Sequence, residues 1–155
     1  FLVIKPYGVG HFIHGFSVMG NVFRAINGYI DGVEKVDTTF ADLDFSRIRM
    51  VNFSGNTFHG VSQEVYNPAF LEHTQATAAS TWTAQTDPFL PFNGRARYVD
   101  SVCTDGVLLN SSNGAEYIAP SVATGQGTDK RDIKLTWGKS VKGTVRYIVR
   151  MDNPL

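Results

Sequence analysis

The sequence predicts an all-β protein in which a short stack of β coils precedes a small antiparallel β-sandwich. The strongest observation is an imperfect repeat, in which residues 16–26 match residues 51–61. Gly20 matches Gly55, and the Asn and the Phe that follow each glycine match as well, all 35 residues apart. Eleven Phe, six Tyr and fifteen Gly in 155 residues are also typical of pleated sheets joined by tight turns.

The repeat region covers residues 1–67. A fixed period is the signature of a stacked architecture, in which each repeat buries its apolar face against the next one. Apolar residues alternate with other residues on both sides of each Gly-Asn corner, as in a strand–turn–strand unit. Gly20 and Gly55 are expected to adopt positive φ at these corners. A pair of strands that is broken at Gly15 is predicted at 11–19, and half-buried strands are predicted at 42–45 and 47–51.

The next segment, residues 68–94, is predicted to be a linker that crosses between two modules. Residues 76–84 carry no charge and consist of Ala, Thr, Ser and a single Trp. Pro88 and Pro91 follow, and an Asn-Gly pair closes the segment at residue 94. This composition is typical of a loop or an extended connection.

Residues 95–155 are again rich in strand-forming residues and lack the Gly-Asn repeat. Five strands are predicted, at 95–102, 107–109, 115–122, 132–137 and 143–151. Strands at this spacing with Gly-marked turns favour a small antiparallel sandwich. The last strand places Val145, Tyr147, Val149 and Met151 on one face, which is therefore predicted to be buried.

The Gly-Asn-x-Phe corners at residues 20–23 and 55–58 resemble the rungs of right-handed parallel β-helix proteins of the pectate-lyase-like superfamily. The β-rich module after them is similar in arrangement to the end of a bacteriophage tailspike. The resemblance implies that residues 1–67 are the final coils of a longer right-handed parallel β-helix. It also implies a homotrimer on a virion or otherwise outside the cell, with a cell-surface polysaccharide as its partner. A trimer is also expected because a short solenoid cannot bury enough surface area on its own.

The charge, hydropathy and cysteine content of the chain argue against several classes of function. Fourteen basic and fourteen acidic residues cancel, so binding to nucleic acid through phosphates is not expected. No apolar run approaches 18 residues, so no membrane insertion is expected. Cys103 is the single cysteine, and no metal site or cofactor is predicted. Its apolar strand predicts that Cys103 is a core residue.

Asp42 and Asp44 are the candidate catalytic residues. They are two positions apart on a predicted strand, so their side chains are expected to face the same way. Hydrolysis of a glycosidic bond uses two carboxyl groups, one as general acid and one as base or nucleophile. The alternative is that these acids, together with Asp31, Glu34 and Asp37, are solvated residues of turns.

Trp82 and Tyr98 are the candidate carbohydrate-binding residues. Trp82 lies in a polar segment without apolar neighbours, so an exposed ring that stacks on a sugar is predicted. The alternative is that Trp82 anchors its segment against the fold or against another subunit.

Three functions follow from these patterns. The first is a structural and receptor-binding role at the end of a tailspike, with trimerisation and adsorption to a polysaccharide. The second is a polysaccharide hydrolase or lyase that uses Asp42 or Asp44. The third is a capsid or decoration protein with a free-standing β-sandwich, for which antiparallel strand neighbours are expected in residues 16–61.

Overall fold

The computed structural model describes residues 1–155. It consists of strands joined by turns and loops and contains no α-helix. The first ten strands are short: β1 (Leu2–Ile4), β2 (Ile13–His14), β3 (Ser17–Met19), β4 (Val22–Arg24), β5 (Ile30–Gly32), β6 (Glu34–Val36), β7 (Ile48–Arg49), β8 (Asn52–Ser54), β9 (Thr57–His59) and β10 (Val61–Gln63). The others are β11 (Ala69–Gln85), β12 (Tyr98–Leu109), β13 (Ala115–Glu116), β14 (Ser121–Gln126) and β15 (Asp132–Arg150). Two 3₁₀ turns, η1 (Phe45–Arg47) and η2 (Pro91–Asn93), complete the list. The all-β prediction is confirmed.

The first ten strands form two successive passes of the chain, residues 2–32 and 34–63, which lie side by side. Each strand of the first pass pairs in parallel with its counterpart in the second, from β1 with β6 to β5 with β10. Ser17 lies beside Asn52 and Val22 lies beside Thr57. The 35-residue spacing of the sequence repeat is therefore the register of the three pairs β2–β7, β3–β8 and β4–β9.

The matched residues of the repeat contact one another across the two passes. The Asn56 side-chain oxygen accepts hydrogen bonds from the backbone nitrogen of Asn21 at 2.9 Å and from its side-chain nitrogen at 3.1 Å. The rings of Phe23 and Phe58 stack with centroids 5.5 Å apart. Gly55 has the expected positive φ of 64°. Such asparagine and aromatic ladders hold strands in register, because the amides bond to each other and the rings pack on each other only when the strands are aligned.

An antiparallel sheet of five strands follows, with β11, β15, β12 and β13 as neighbours in that order and β14 also paired with β15. The predicted linker is corrected here, because residues 69–85 form the long strand β11. Ala69, Trp82 and Ala84 point into the core, whereas Thr81 and Thr83 between them are exposed. Small and hydroxyl side chains hide this alternation in the sequence, although it suits a half-buried strand.

The predicted sandwich is also corrected, because the structure has one antiparallel sheet in this region and not two packed sheets. The two separate strands expected at 132–137 and 143–151 are one continuous strand, β15, of 19 residues. This single strand can therefore pair with β11, β12 and β14 along its length. The prediction for its last face is confirmed, since Val145, Tyr147, Val149 and Met151 are all at most 2% exposed.

A buried polar cluster, the junction cluster, joins the stacked passes to the sheet. It comprises Val51 of the second pass, Asn67 before β11, and Arg150 and Asp152 at the end of β15. The Asn67 side chain donates to the Val51 carbonyl at 2.8 Å and to Asp152 at 2.9 Å. Asp152 in turn accepts from the Val51 backbone nitrogen at 3.1 Å and from Arg150 at 3.0 Å. The two parts of the fold thus share one hydrogen-bonded core.

Candidate functional site

A cleft of about 610 Å³ opens beside β6, between the 37–45 loop and η2. Its walls combine two carboxylates, an ammonium, two amides and a hydroxyl with aromatic and aliphatic side chains. The lining residues are Glu34, Lys35, Val36, Thr38, Asp42, Leu43, Phe45, Gln63, Phe92 and Asn93. A concave site with a few converging polar groups is the general form of a small-molecule or oligomer-binding site.

Glu34 is the half-buried acid of this cleft. Within β6 it shares a face with Val36, and both are partly buried, whereas Lys35 between them is exposed. One carboxyl oxygen accepts a hydrogen bond from the backbone nitrogen of Phe92 at 2.9 Å. Burial raises the pKa of Glu34, and the hydrogen bond from Phe92 offsets only part of that rise. The Glu34 carboxyl can therefore hold a proton above the usual pH range of a glutamate.

The predicted pair of Asp42 and Asp44 is not brought together in this cleft. Asp42 is exposed and lines the cleft, whereas Asp44 lines a neighbouring cavity of about 320 Å³ with Arg95 and Arg131. The strand expected at 42–45 is absent, so the same-face argument does not apply to these residues. The acids that share the cleft are Glu34 and Asp42.

Asp44 has a structural role at the start of η1. One of its carboxyl oxygens accepts hydrogen bonds from the Ser46 hydroxyl at 2.6 Å and from the Ser46 backbone nitrogen at 3.0 Å. The other lies 3.2 Å from the Arg47 guanidinium. The hydrogen bonds from Ser46, together with Arg47, lower the pKa of Asp44. Asp44 therefore stays ionised and caps a turn, which makes it a poor proton donor.

The two aromatic candidates lie in very different environments. Trp82 is 0% exposed and its ring lies 4.9 Å from that of Trp137. The prediction of an exposed sugar-stacking ring at Trp82 is thus corrected, because Trp137 and Val141 of β15 contact its indole ring in the core. Tyr98 is 43% exposed at the start of β12, and its sugar-binding role stays a prediction.

Sequence reasoning placed Glu34 only in a general acidic cluster and missed the role of Gln63, Phe92 and Asn93. Glu34 and Phe92 are 58 residues apart, so no local pattern connects them. Gln63 is oriented by a hydrogen bond from its amide to the carbonyl of Pro88 at 3.0 Å. The alternation of β6, in which Glu34 shares a face with the apolar Val36, is the local signal that could have marked it as an acid near the core.

No group of three or more His, Cys, Asp or Glu side chains is arranged to hold a metal ion. No helix is long and apolar enough to cross a membrane.

Comparison with known proteins found no relative of this chain. No family model, no curated protein and no solved structure matches the chain. The fold itself defines an all-β protein with parallel-paired passes and an antiparallel sheet, with a polar cleft beside β6.

Proposed function

We propose that this chain is the C-terminal trimerisation and polysaccharide-binding portion of a phage or phage-derived tailspike, acting on the virion surface. In this proposal residues 1–67 are the final coils of a right-handed parallel β-helix. The observation that carries the binding role is the cleft in which Glu34, Asp42, Gln63 and Asn93 meet aromatic side chains.

The parallel pairs support the β-helix part of the proposal. Successive passes lie in register at a spacing of 35 residues over β2, β3 and β4. Asn21 and Asn56 form a ladder, as do Phe23 and Phe58. Stacked passes of this kind are the unit of a solenoid, where each coil contacts only its neighbours. A decoration β-sandwich would be favoured by antiparallel strand neighbours in residues 16–61. Strands β3 and β8 pair in parallel instead, and so do β4 and β9.

The chemistry of the cleft supports a polysaccharide ligand. Sugars present many hydroxyl groups, each a donor and an acceptor, above an apolar face of C–H bonds. Carboxylates accept from hydroxyls, and the amides of Gln63 and Asn93 can both donate and accept. The partly buried Phe45 ring offers an apolar wall beside them.

Asp42→Ala tests the binding role of the cleft. Loss of a charged acceptor is expected to weaken binding about tenfold, because Asp42 is exposed and its hydrogen bonds then contribute about 1.5 kcal/mol, the lower end of the usual range. The measurement is affinity electrophoresis in gels that contain purified bacterial capsular or O-antigen polysaccharides. Asp31→Ala is the matched control, because Asp31 is an exposed acid of β5 outside the cleft. Equal retardation of Asp42→Ala and the unchanged chain, or no retardation in any gel, would contradict the proposal.

A second candidate function, polysaccharide hydrolysis, is favoured by one observation. Glu34 and Asp42 share the cleft, and burial raises the pKa of Glu34 as a general acid requires. Asp42 would then act as the base or nucleophile. The same polysaccharides separate the two functions: release of reducing ends that disappears in Glu34→Gln favours the enzyme, and binding without release favours adsorption.

The accessible surface supports the trimer. The isolated chain exposes 8822 Å², whereas a monomer of its mass is expected to expose about 7,750 Å². The excess exceeds the roughly 800 Å² that each partner buries in a standard interface. On the outer face of the sheet, Phe70 is 74% exposed beside Ile148 in an apolar groove of about 430 Å³. A second copy of the chain that covers this groove would remove part of the excess.

Light scattering during size-exclusion chromatography tests the trimer. We expect a mass near three times 17.1 kDa, and we expect Phe70→Ser to shift it towards one chain. Tyr117→Ser is the matched control, because Tyr117 is 84% exposed outside the groove. A single-chain mass for the unchanged protein at micromolar concentration would overturn the trimer.

A further inference from the structure

Two exposed aromatic rings stack on the surface next to the cleft. Tyr7 follows β1, and Phe40 lies in the 37–45 loop. Their ring centroids are 5.1 Å apart with an interplanar angle of 25°. Tyr7 is 76% exposed and Phe40 is 58% exposed, so the two rings present an aromatic surface to water. Exposed aromatic clusters of this kind commonly mark a binding site.

The two loops that carry these rings are tied together on both sides of the stack. On one side the Lys5 ammonium lies 2.9 Å from an Asp37 carboxyl oxygen, and Asp37 also accepts from the Thr39 backbone nitrogen at 3.0 Å. On the other side the Asp44 backbone nitrogen donates to the His11 ring at 2.8 Å. The rings are thus held in place before any ligand arrives, which lowers the entropic cost of binding.

The charge around the rings is balanced. The Lys5 ammonium lies 4.9 Å from the centroid of Phe40 and 6.0 Å from that of Tyr7. Its ion pair with Asp37 compensates this positive charge. A ligand on the rings therefore meets an apolar, electrically balanced surface, which favours a neutral ligand with a flat apolar face over an anionic one.

The same loop serves the rings and the cleft. Thr38 and Asp42 of the 37–45 loop line the cleft, and Phe40 between them stacks on Tyr7. A chain of linked sugar units could therefore contact both surfaces at once. Multiple contacts along one polymer raise the apparent affinity without any single strong contact.

We infer that Tyr7 and Phe40 form a stacking platform for a neutral pyranose ring, next to the cleft and continuous with it through the 37–45 loop. This inference rests on the proposed function, since it assumes that the cleft takes part of the same saccharide chain. The C–H face of the sugar packs on the exposed ring surface, while its hydroxyl groups remain free to reach Thr38 and Asp42.

Backbone amide NMR tests the platform. The ¹⁵N-labelled protein is titrated separately with maltohexaose, cellohexaose and mannohexaose as neutral probes. We expect at least one of them to shift the amide signals of Tyr7 and Phe40 together with those of Thr38 and Asp42. Tyr7→Ala is expected to weaken that binding about three- to tenfold, the loss expected for one aromatic contact.

Two further variants keep the test specific. Phe40→Leu retains apolar bulk and removes the ring, so it is expected to weaken binding by a similar factor even if Tyr7→Ala disturbs the fold. Tyr117→Ala is the matched control, because Tyr117 is 84% exposed and has no aromatic partner. Binding of all three probes should be unchanged in this variant.

The outcomes separate this inference from the proposed function. Shifts at Thr38 and Asp42 without shifts at Tyr7 and Phe40 would overturn the platform and leave the cleft as the binding site. Shifts at the platform alone would support the platform and count against the cleft. No shift with any neutral probe would overturn the platform, whereas retardation in the capsular or O-antigen gels would still support the cleft. A change of oligomeric mass in Tyr7→Ala would show that the rings form a contact between copies, which also overturns the platform.

Discussion

Replacing Asp152 with alanine is expected to lower the free energy of unfolding by about 3–5 kcal/mol. Asp152 is 4% exposed and accepts hydrogen bonds from Val51, Asn67 and Arg150 in the junction cluster. Its removal leaves the Val51 backbone nitrogen and a largely buried Arg150 guanidinium without their carboxylate partner. Urea denaturation at neutral pH, followed by far-ultraviolet circular dichroism, measures the loss.

Asp129→Ala is the matched control for this prediction. Asp129 also faces an arginine, but its side chain is 58% exposed and lies 3.9 Å from Arg131. An exposed pair of this kind contributes little, so the change should stay within about 0.5 kcal/mol. A loss below about 1 kcal/mol for Asp152→Ala would show that the junction cluster does not hold the two parts of the fold together.

The contribution of Asp152 is also expected to depend on pH. Burial acts to raise the pKa of Asp152, but the hydrogen bonds from Arg150 and Asn67 outweigh it, and the net effect lowers that pKa. The folded protein therefore binds the proton less tightly than the unfolded chain does. The stabilisation is present above the ordinary aspartate pKa and is lost as the pH falls through the lowered value. The stability difference between the unchanged protein and Asp152→Ala should accordingly shrink in acid.

The stacked passes were predictable because the sequence repeats the residues that touch. Gly20 and Gly55 supply the positive φ of the corner, and the asparagine after each glycine bonds its counterpart. When identical residues contact each other in neighbouring passes, the sequence contains a repeat. The number of residues between the two copies then equals the register of the paired strands. No knowledge of distant partners was needed to find them.

Strand β11 was not predictable in the same way, because its partner defines it. Its inner face uses Ala69 and Ala84 beside Trp82, and its outer face uses threonines. Alanine and threonine differ little in hydropathy, so the alternation that marks a strand is weak. Pairing with β15, some 50–80 residues away, supplies the missing information.

Cys103 illustrates how a local irregularity reverses a prediction. It was expected in the core, but it is exposed on the outer face of the sheet, opposite Arg146. The pairing of β12 with β15 shifts register between Val99 and Ser101. A bulge of one residue moves every later side chain to the other face, and nothing in the sequence marks its position.

The acidic character of the candidate site was predictable, but the residues that form it were not. An acidic cluster was evident, and Asp42 does line the cleft. The other acid of the cleft is Glu34, which accepts a hydrogen bond from the distant backbone of Phe92, whereas Asp44 caps η1. A two-residue spacing gives a shared face only within a strand, and the 3₁₀ turn removes that condition.

Trp82→Ala is expected to lower the free energy of unfolding by about 3–5 kcal/mol, because the variant leaves a large cavity in the core. The Trp82 ring is fully buried against Trp137. Its indole nitrogen donates to the carbonyls of Ala79 at 3.0 Å and Val141 at 3.2 Å. Thermal and urea denaturation measure the loss, and polysaccharide binding by the folded fraction should be unchanged.

Trp82→Phe separates packing from hydrogen bonding in this prediction. Phenylalanine fills part of the space and lacks the indole donor, so an intermediate loss of about 1–3 kcal/mol is expected. Tyr98→Ala is the exposed counterpart, since Tyr98 is 43% exposed at the start of β12, and its effect on stability should be small. A Trp82→Ala protein that kept its stability and lost polysaccharide binding would contradict the core role. Loss of stability with binding intact would leave the cleft beside β6, and the neighbouring Tyr7–Phe40 pair, as the surface on which recognition depends.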